Sequence, residues 1–233
     1  MNIHSSDTHN KIWNHFQNEL PDAFKDAKPR LDYLVKVISH KKKSASPKVL
    51  NIGAGDGYFE TTVQRLNMRI YSLDPDEATV RRLTAKKIQA FEGYMQTMPF
   101  DNACFDFVVA SEVLEHLDAT QFKQGLNEVV RVLDPKGWFI GTVPYKEDMR
   151  LNRVICPDCG KQFHRWGHER TFGRSTLRSE LTPYFKKIML KRRAFATLRH
   201  CGLTMTAKNL VRLVLGPFGA PLASPNLFFT AQK

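Results

Sequence analysis

Two groups of residues in this sequence have types and spacings that could do chemistry. The first is Gly53-Ala54-Gly55-Asp56-Gly57, which follows the apolar run Val49 to Ile52 and precedes a helical stretch from Tyr58. Glycine at alternate positions lets a backbone approach a ligand closely, and the helix start beyond it offers unpaired N–H groups. Asp74 stands 19 residues after Gly55, at the tip of a second apolar run. A carboxylate there can accept both hydroxyls of an adenosine ribose. A G-x-G-x-x-G dinucleotide turn would need glycine at position 58, where the chain has Tyr58, so the spacing argues against a nicotinamide cofactor. The second group is Cys156, Cys159, His164 and His168, spaced C-x2-C-x4-H-x3-H, with Pro157 and Gly160 shaping the turn between and after the thiols. Two thiolates and two imidazoles suit a tetrahedral structural zinc, and a short irregular segment without a core of its own would need such a staple. The alternative is a thiol pair without metal and histidines in a substrate cavity. His168 cannot be both a zinc ligand and a free base.

The elements that must position these groups alternate along the chain. Strands are expected at residues 48–53, 69–73, 88–92, 105–110 and 137–143, with helices at 58–66, 76–87 and 119–133 between them. That alternation predicts a parallel sheet covered by helices on both faces. A helix at 174–184 and strands at 186–194 and 227–231 follow, the two strands completing the sheet as an antiparallel pair. Helical spacing also covers residues 8–20 and 29–40, which are expected to pack beside the sheet. Three units result: N-terminal helices and linker over 1–46, the main domain over 47–233, and a Cys/His insert over 146–170. A length of 233 residues with 42% apolar content closes one substantial core. The polar start and the lack of about 18 consecutive apolar residues predict a cytoplasmic protein. Four scattered cysteines fit a reducing compartment.

The glycine turn resembles the first motif of class I, Rossmann-like S-adenosylmethionine-dependent methyltransferases, and the resemblance continues in family order. Ile70 to Asp76 (IYSLDPD) is similar to the segment holding the ribose-binding acid. Met98 to Asp101, Phe105-Asp106 and Glu112 to Leu117 (EVLEHL) are similar to the stretch through the fourth strand, and Asn127 to Val143 to the helix and fifth strand after it. The resemblance spans about residues 47–145. It implies an α/β fold with a seven-stranded, mostly parallel, doubly wound sheet, an N-terminal helical extension and the Cys/His insert after the fifth strand. It also implies S-adenosylmethionine as cofactor, held by Asn51, Gly53, Gly55, Asp56, Gly57, Asp74, Pro75, Tyr94, Met95, Ser111 and Glu112. Two positions depart from the pattern. Asn51 stands where the family usually has a carboxylate, and Tyr94 where relatives are commonly acidic. His168 aligns with a pocket histidine in the His-x-Arg-x-Phe stretch of many small-molecule methyltransferases.

A sulfonium methyl is already electrophilic, so such an enzyme chiefly aligns a nucleophile and excludes water. If the acceptor is a hydroxyl, a base can take its proton; His116, Tyr145 and His168 are the candidates. His116 has a second reading, as a helix-start residue supporting its loop. Residues 1–149 hold 19 Lys+Arg against 20 Asp+Glu, and residues 150–233 hold 16 against 3. The basic third favours an anionic partner, although a solvated surface serves the same composition. Phe163, Trp166 and Phe172 could wall a pocket, and Arg150, Arg153, Arg165, Arg170 and Arg174 could hold an anion. The expected acceptor is an anionic small molecule or a glycan or lipid-linked intermediate, methylated at oxygen. Two alternatives compete: an RNA methyltransferase, and a non-catalytic S-adenosylmethionine-binding partner protein. The stretch 203–222 could rest on a membrane surface as a peripheral contact, or close as a helix and loop over the pocket.

Overall fold

A computed structural model of the chain describes residues 3–196, 203–220, 223 and 225–233. Seven strands form one sheet: β1 (Lys48–Ile52), β2 (Arg69–Asp74), β3 (Gln89–Glu92), β4 (Phe105–Ser111), β5 (Leu133–Pro144), β8 (Lys187–Arg193) and β9 (Asn226–Gln232). Their order is β3-β2-β1-β4-β5-β9-β8, parallel as far as β5, with β9 antiparallel to both β5 and β8. Val49 to Ile52 and Phe107 to Ala110 are buried because the central parallel strands are covered on both faces. Helices α2 (Lys28–Lys41), α3 (Tyr58–Arg65) and α4 (Glu77–Ala85) cover one face through Leu34, Ile38, Phe59, Val63 and Leu83. Helices α5 (Ala119–Val132) and α6 (Arg174–Leu181) cover the other through Phe122, Leu126, Val129 and Leu177. This is the class I methyltransferase arrangement expected from the sequence.

Strand order reverses between β1 and β4, and in open α/β sheets ligands bind beyond the carboxyl ends of the strands at that point. Gly53 follows β1 and Ser111 ends β4, so both lie at the switch point. β5 runs longer than expected, because Leu133 pairs with Phe105 of β4 at one end and Pro144 with Asn226 of β9 at the other. Its extension carries the chain to Glu147, on which two histidines converge.

The first helix differs from expectation in place. α1 (Ile3–Glu19) lies across the carboxyl ends of the strands instead of beside the sheet. Asn14 and Asn18 each donate to Asp76, at 2.7 and 3.2 Å, and Gln17 donates to Asp74 at 3.2 Å. Asn10, Asn14, Gln17 and Asn18 follow helical spacing, so α1 has an amide stripe that seats on the acids ending β2. A search for apolar periodicity passes over such a stripe.

The Cys/His insert also differs. Residues Arg153–Ile155 (β6) and Gln162–His164 (β7) form a separate two-stranded hairpin in which Arg153 pairs with His164 and Ile155 with Gln162. That register puts Cys156 and Cys159 in the connecting turn and His164 at the opposite end of the hairpin. Among the described residues, no group of three potential ligands within 4.8 Å combines a thiol with an imidazole; His164 and His168 group instead with carboxylates. The two thiols lie beside each other, and the N–H groups of Cys159 and Asp158 with the neighbouring thiol hold Cys156 below its ordinary pKa. The four-ligand Cys/His zinc site is therefore not assembled in this structure.

Helix α7 (Leu203–Leu215) presents Lys208 and Arg212 to the cavity and leaves Leu210, Val211 and Val214 exposed. The end of the stretch, residues 221 and 222, lies outside the described residues. Among the described residues, no helix is long and apolar enough to cross a membrane.

Candidate functional site

A cavity of about 1820 Å³ opens at the switch point, bounded by the glycine turn, the end of β4, and α1 and α7. Pockets for one small ligand measure roughly 300–1,000 Å³, so the space is large enough for two molecules side by side.

The glycine turn holds its shape for steric reasons. Gly53, Gly55 and Gly57 have φ of 78°, 54° and 80°, a region that side chains disfavour. A Cβ at Gly57 would also lie 2.7 Å from Leu83 Cδ2, and one at Gly53 would lie 2.9 Å from Val113 Cγ2. Asp74 ties the turn to β2. Its Oδ2 accepts from Ala54 N at 2.7 Å and from Gln17, and its Oδ1 accepts from Asp76 N at 3.0 Å. Burial raises the Asp74 pKa, and the two backbone donors oppose that rise. Asp56 Oδ1 accepts from Tyr58 N, the first residue of the helix beyond, at 3.0 Å.

Asn51 is explained by what lies beneath it. Its Nδ2 donates to Glu60 Oε1 at 2.6 Å and to the Gly53 carbonyl at 3.2 Å, and Ser72 Oγ donates to the same Glu60 oxygen at 2.9 Å. Glu60 is fully buried, its Oε2 has no hydrogen-bond partner, and desolvation raises its pKa to about 7. An amide at position 51 can donate to that buried carboxyl; a carboxylate could not. The departure from the family pattern and the acid on α3 thus form one network, which single-position reading missed.

Each remaining cofactor candidate can be placed. Pro75, Tyr94, Met95, Ser111 and Glu112 all line the cavity. The Tyr94 hydroxyl accepts from Asn10 of α1 at 2.9 Å. Met95 is buried against Gly125, where even a methyl would lie 2.9 Å from its Cγ. Ser111 Oγ lies 3.0 Å from both Arg30 Nε and Thr142 Oγ1. Glu112 has a left-handed φ of 57°, and its Oε2 accepts from Asn226 at 2.9 Å. Residues held in that conformation concentrate at ligand sites. Glu112 Oε1 and Gln96 Oε1 are buried acceptors without partners, and both residues line the cavity. Gln96, Gln17, Arg30 and Asn226 were not legible in the sequence, because each reaches the site only through tertiary packing.

The three base candidates separate. His116 and His168 line the cavity with ring centroids 4.8 Å apart, and Trp13 of α1 stacks edge-on against His116. His116 Nδ1 lies 3.2 Å from the Gly167 carbonyl, and His168 Nδ1 donates to Glu147 Oε2. A carbonyl or carboxylate oxygen can only accept, so both rings carry hydrogen at Nδ1. Tyr145 is not among the cavity-lining residues; it pairs with Phe172 and packs near Gly219 and Arg192.

The proposed anion holders also part company with the site. Arg150 pairs with Asp148, Arg170 pairs with Glu180, and Arg165 lies over Trp166. Phe172 is core, Phe163 does not line the cavity, and Trp166 does. The cations that line the cavity are instead Arg30, Lys208 and Arg212, with Lys11 and Lys25 nearer the N-terminal helix.

Comparison with known proteins identifies the frame. Residues 50–141 match the family model described as a methyltransferase domain. Over that stretch the chain is similar to a methyltransferase domain. A probable S-adenosylmethionine-dependent methyltransferase of Mycolicibacterium smegmatis is 35% identical over 105 residues, which cover 44% of this chain and 40% of that protein. A demethylmenaquinone methyltransferase of Chlorobaculum tepidum is 29% identical over 94 residues, covering 39% of this chain and 38% of that one. The chain thus spans well under two thirds of these curated relatives. Among solved structures, a Burkholderia thailandensis 1,6-didemethyltoxoflavin-N1-methyltransferase with bound S-adenosylhomocysteine superposes with a TM-score of 0.68 at 15% identity. That likeness covers 98% of this chain and 88% of the other. A Haloferax volcanii putative methyltransferase, in complex with the Trm112 activator, superposes with a TM-score of 0.67 at 15% identity, covering 95% and 97%. These likenesses show the fold, and the stretch matched by the family model spans the glycine turn, Asp74 and the β4 end.

Proposed function

We propose that this protein is an S-adenosylmethionine-dependent methyltransferase acting at an oxygen of an anionic small molecule or of a glycan or lipid-linked intermediate. The observation that carries the reading is one cavity with two unlike ends. Its first end joins the strained glycine turn, Asp74 and the partnerless acceptors Gln96 Oε1 and Glu112 Oε1. Asp74 suits two ribose hydroxyls, one of which would take the place of the Gln17 amide. Glu112 carries the charge to receive a cationic amino group, and Gln96 an oxygen to receive a hydrogen-bond donor. Asn51 serves the turn from below through Glu60. These residues fit S-adenosylmethionine, which when bound supplies an electrophilic methyl group.

The second end is taken to be the part lined by His116, His168 and Trp166, and Lys208 and Arg212 of α7 line the same cavity. The cations would hold an anionic acceptor. Either imidazole Nε2 can take the proton that a hydroxyl loses as its oxygen attacks. Glu147 and the Gly167 carbonyl fix the tautomers, and α1 keeps water out through Trp13 and Phe16, the latter 5.0 Å from Trp166. The exposed apolar face of α7 would suit a lipid-linked acceptor at a membrane surface.

Calorimetric titration with S-adenosylmethionine tests the first end; absence of heat from folded protein removes the reading. Incubation with methyl-labelled cofactor and fractionated cell extract tests the second. Label is expected in metabolite or glycolipid fractions, and label in RNA that falls away steeply with salt would favour a nucleic-acid acceptor instead.

A further inference from the structure

Glu115 is a buried acid that the cofactor end of the cavity leaves unused. It is 1% exposed, and among the described residues neither of its carboxylate oxygens has a hydrogen-bond partner. Leaving a buried carboxylate unmatched costs several kcal/mol in general, so such a group is expected to meet a proton, a cation or a metal. One oxygen of Glu115, one nitrogen of His116 and one nitrogen of His168 lie within 4.8 Å of one another. Both imidazoles turn Nδ1 toward the Gly167 carbonyl and the Glu147 carboxylate, which makes Nε2 the nitrogen that a neutral ring offers to an ion. Metal-bound histidines characteristically donate their other ring N–H to a carboxylate or a backbone carbonyl, which fixes the tautomer and raises ligand basicity.

We propose that Glu115, His116 and His168 bind one divalent first-row transition ion, such as Zn²⁺ or Mn²⁺, in the wall of the acceptor end of the cavity. Two histidines and one carboxylate leave coordination positions open toward the cavity, where an acceptor oxygen can bind. The neighbouring group of Glu147, His164 and His168 does not compete for this role. His164 Nδ1 accepts backbone N–H groups from Trp166 at 3.4 Å and His168 at 3.2 Å, so its hydrogen is at Nε2, 3.5 Å from Glu147 Oε1. Glu147 and His164 are thus the outer support of His168, and no lone pair of His164 is offered to an ion. The thiols of Cys156 and Cys159 are at the far end of the hairpin and take no part.

The inference rests on the methyltransferase reading only for its purpose. With the ion in place, both Nε2 lone pairs are ligands. An acceptor hydroxyl then loses its proton to water because it is bound to the ion, as metal-bound water does. The site is tested without reference to turnover. Wild type, Glu115→Gln, His168→Gln and the double variant Cys156→Ser/Cys159→Ser are dialysed against Zn²⁺ and analysed for metal. S-adenosylmethionine titration and a thermal melt of each report the cofactor end and the fold. The expected result is one ion in wild type and in the cysteine variant, at least a 10-fold loss of affinity in the other two, and unchanged cofactor binding throughout. Wild type is also titrated with Co²⁺, which reports ligand type even if a variant misfolds. Visible bands without the near-ultraviolet thiolate charge-transfer band support the site. Metal kept by Glu115→Gln and His168→Gln, metal lost only with the cysteines, a thiolate band, or no Co²⁺ bands would each overturn it. Failure of cofactor binding in wild type that still takes up metal would overturn the methyltransferase reading alone.

Discussion

Glu60 makes the strongest quantitative prediction. The carboxyl is fully buried, receives two hydrogen bonds on one oxygen and none on the other, and has its pKa raised from 4.5 to about 7. Because the folded value exceeds the unfolded one, the folded state binds the proton more tightly. Stability from this group is complete below the unfolded pKa and is lost as pH rises toward the folded one; above about 7 the loss is constant. A tenfold difference in proton affinity between the folded and unfolded chain is worth about 1.4 kcal/mol, so charging Glu60 in place costs about 3 kcal/mol. Burial raises the Asp74 pKa as well, so the quantity to measure is a difference of differences. Glu60→Gln keeps an oxygen for Asn51 and Ser72 and removes the charge. Urea unfolding of both proteins, followed by tryptophan fluorescence, is run near pH 5 and near pH 8. The stability of the variant relative to wild type should rise by about 2 to 3 kcal/mol between the two conditions. A relative stability that stays constant within about 0.5 kcal/mol would refute the claim that burial raises the Glu60 pKa in the folded state.

Asp74→Ala should weaken S-adenosylmethionine binding on the order of 100-fold by calorimetry, since two hydrogen bonds to a carboxylate are lost and Ala54 N is no longer tied down. Gly57→Ala forces a methyl against Leu83 at a φ of 80° and should lower stability by about 1–3 kcal/mol, seen as a reduced melting temperature. Asn14→Ala with Asn18→Ala frees α1 from Asp76, and cofactor dissociation measured by stopped flow should quicken roughly 10-fold. Tyr145→Phe should leave cofactor affinity unchanged within about 2-fold, because the ring lies outside the cavity; a larger loss would contradict that placement.

Much of the frame was legible in the residues. The glycine turn, Asp74 and the alternation of apolar runs with helical stretches depend on local sterics and on periodicity, which a linear reading captures. Strand candidates fell within a few residues of the observed strands, and β5 grew only because its partners β4 and β9 extended the ladder. The seat of α1 was hidden, because its amide stripe has meaning only beside Asp74 and Asp76. Asn51 looked like a weakened motif until Glu60, nine positions on, came under it through one turn and one helix.

The sequence by itself determined that a doubly wound α/β fold of the class I methyltransferase kind would form and where its glycine turn would lie, because a glycine at positive φ and a buried strand are decided by neighbours along the chain. It could not determine how the Cys/His segment divides. Spacing treats C-x2-C and H-x3-H as one ligand set, but a hairpin ladder holds its two ends apart. The tertiary structure sends the thiols to the turn and brings the imidazoles to Glu115 and Glu147, whose carboxylates come from the ends of β4 and β5 and meet only once the sheet is built.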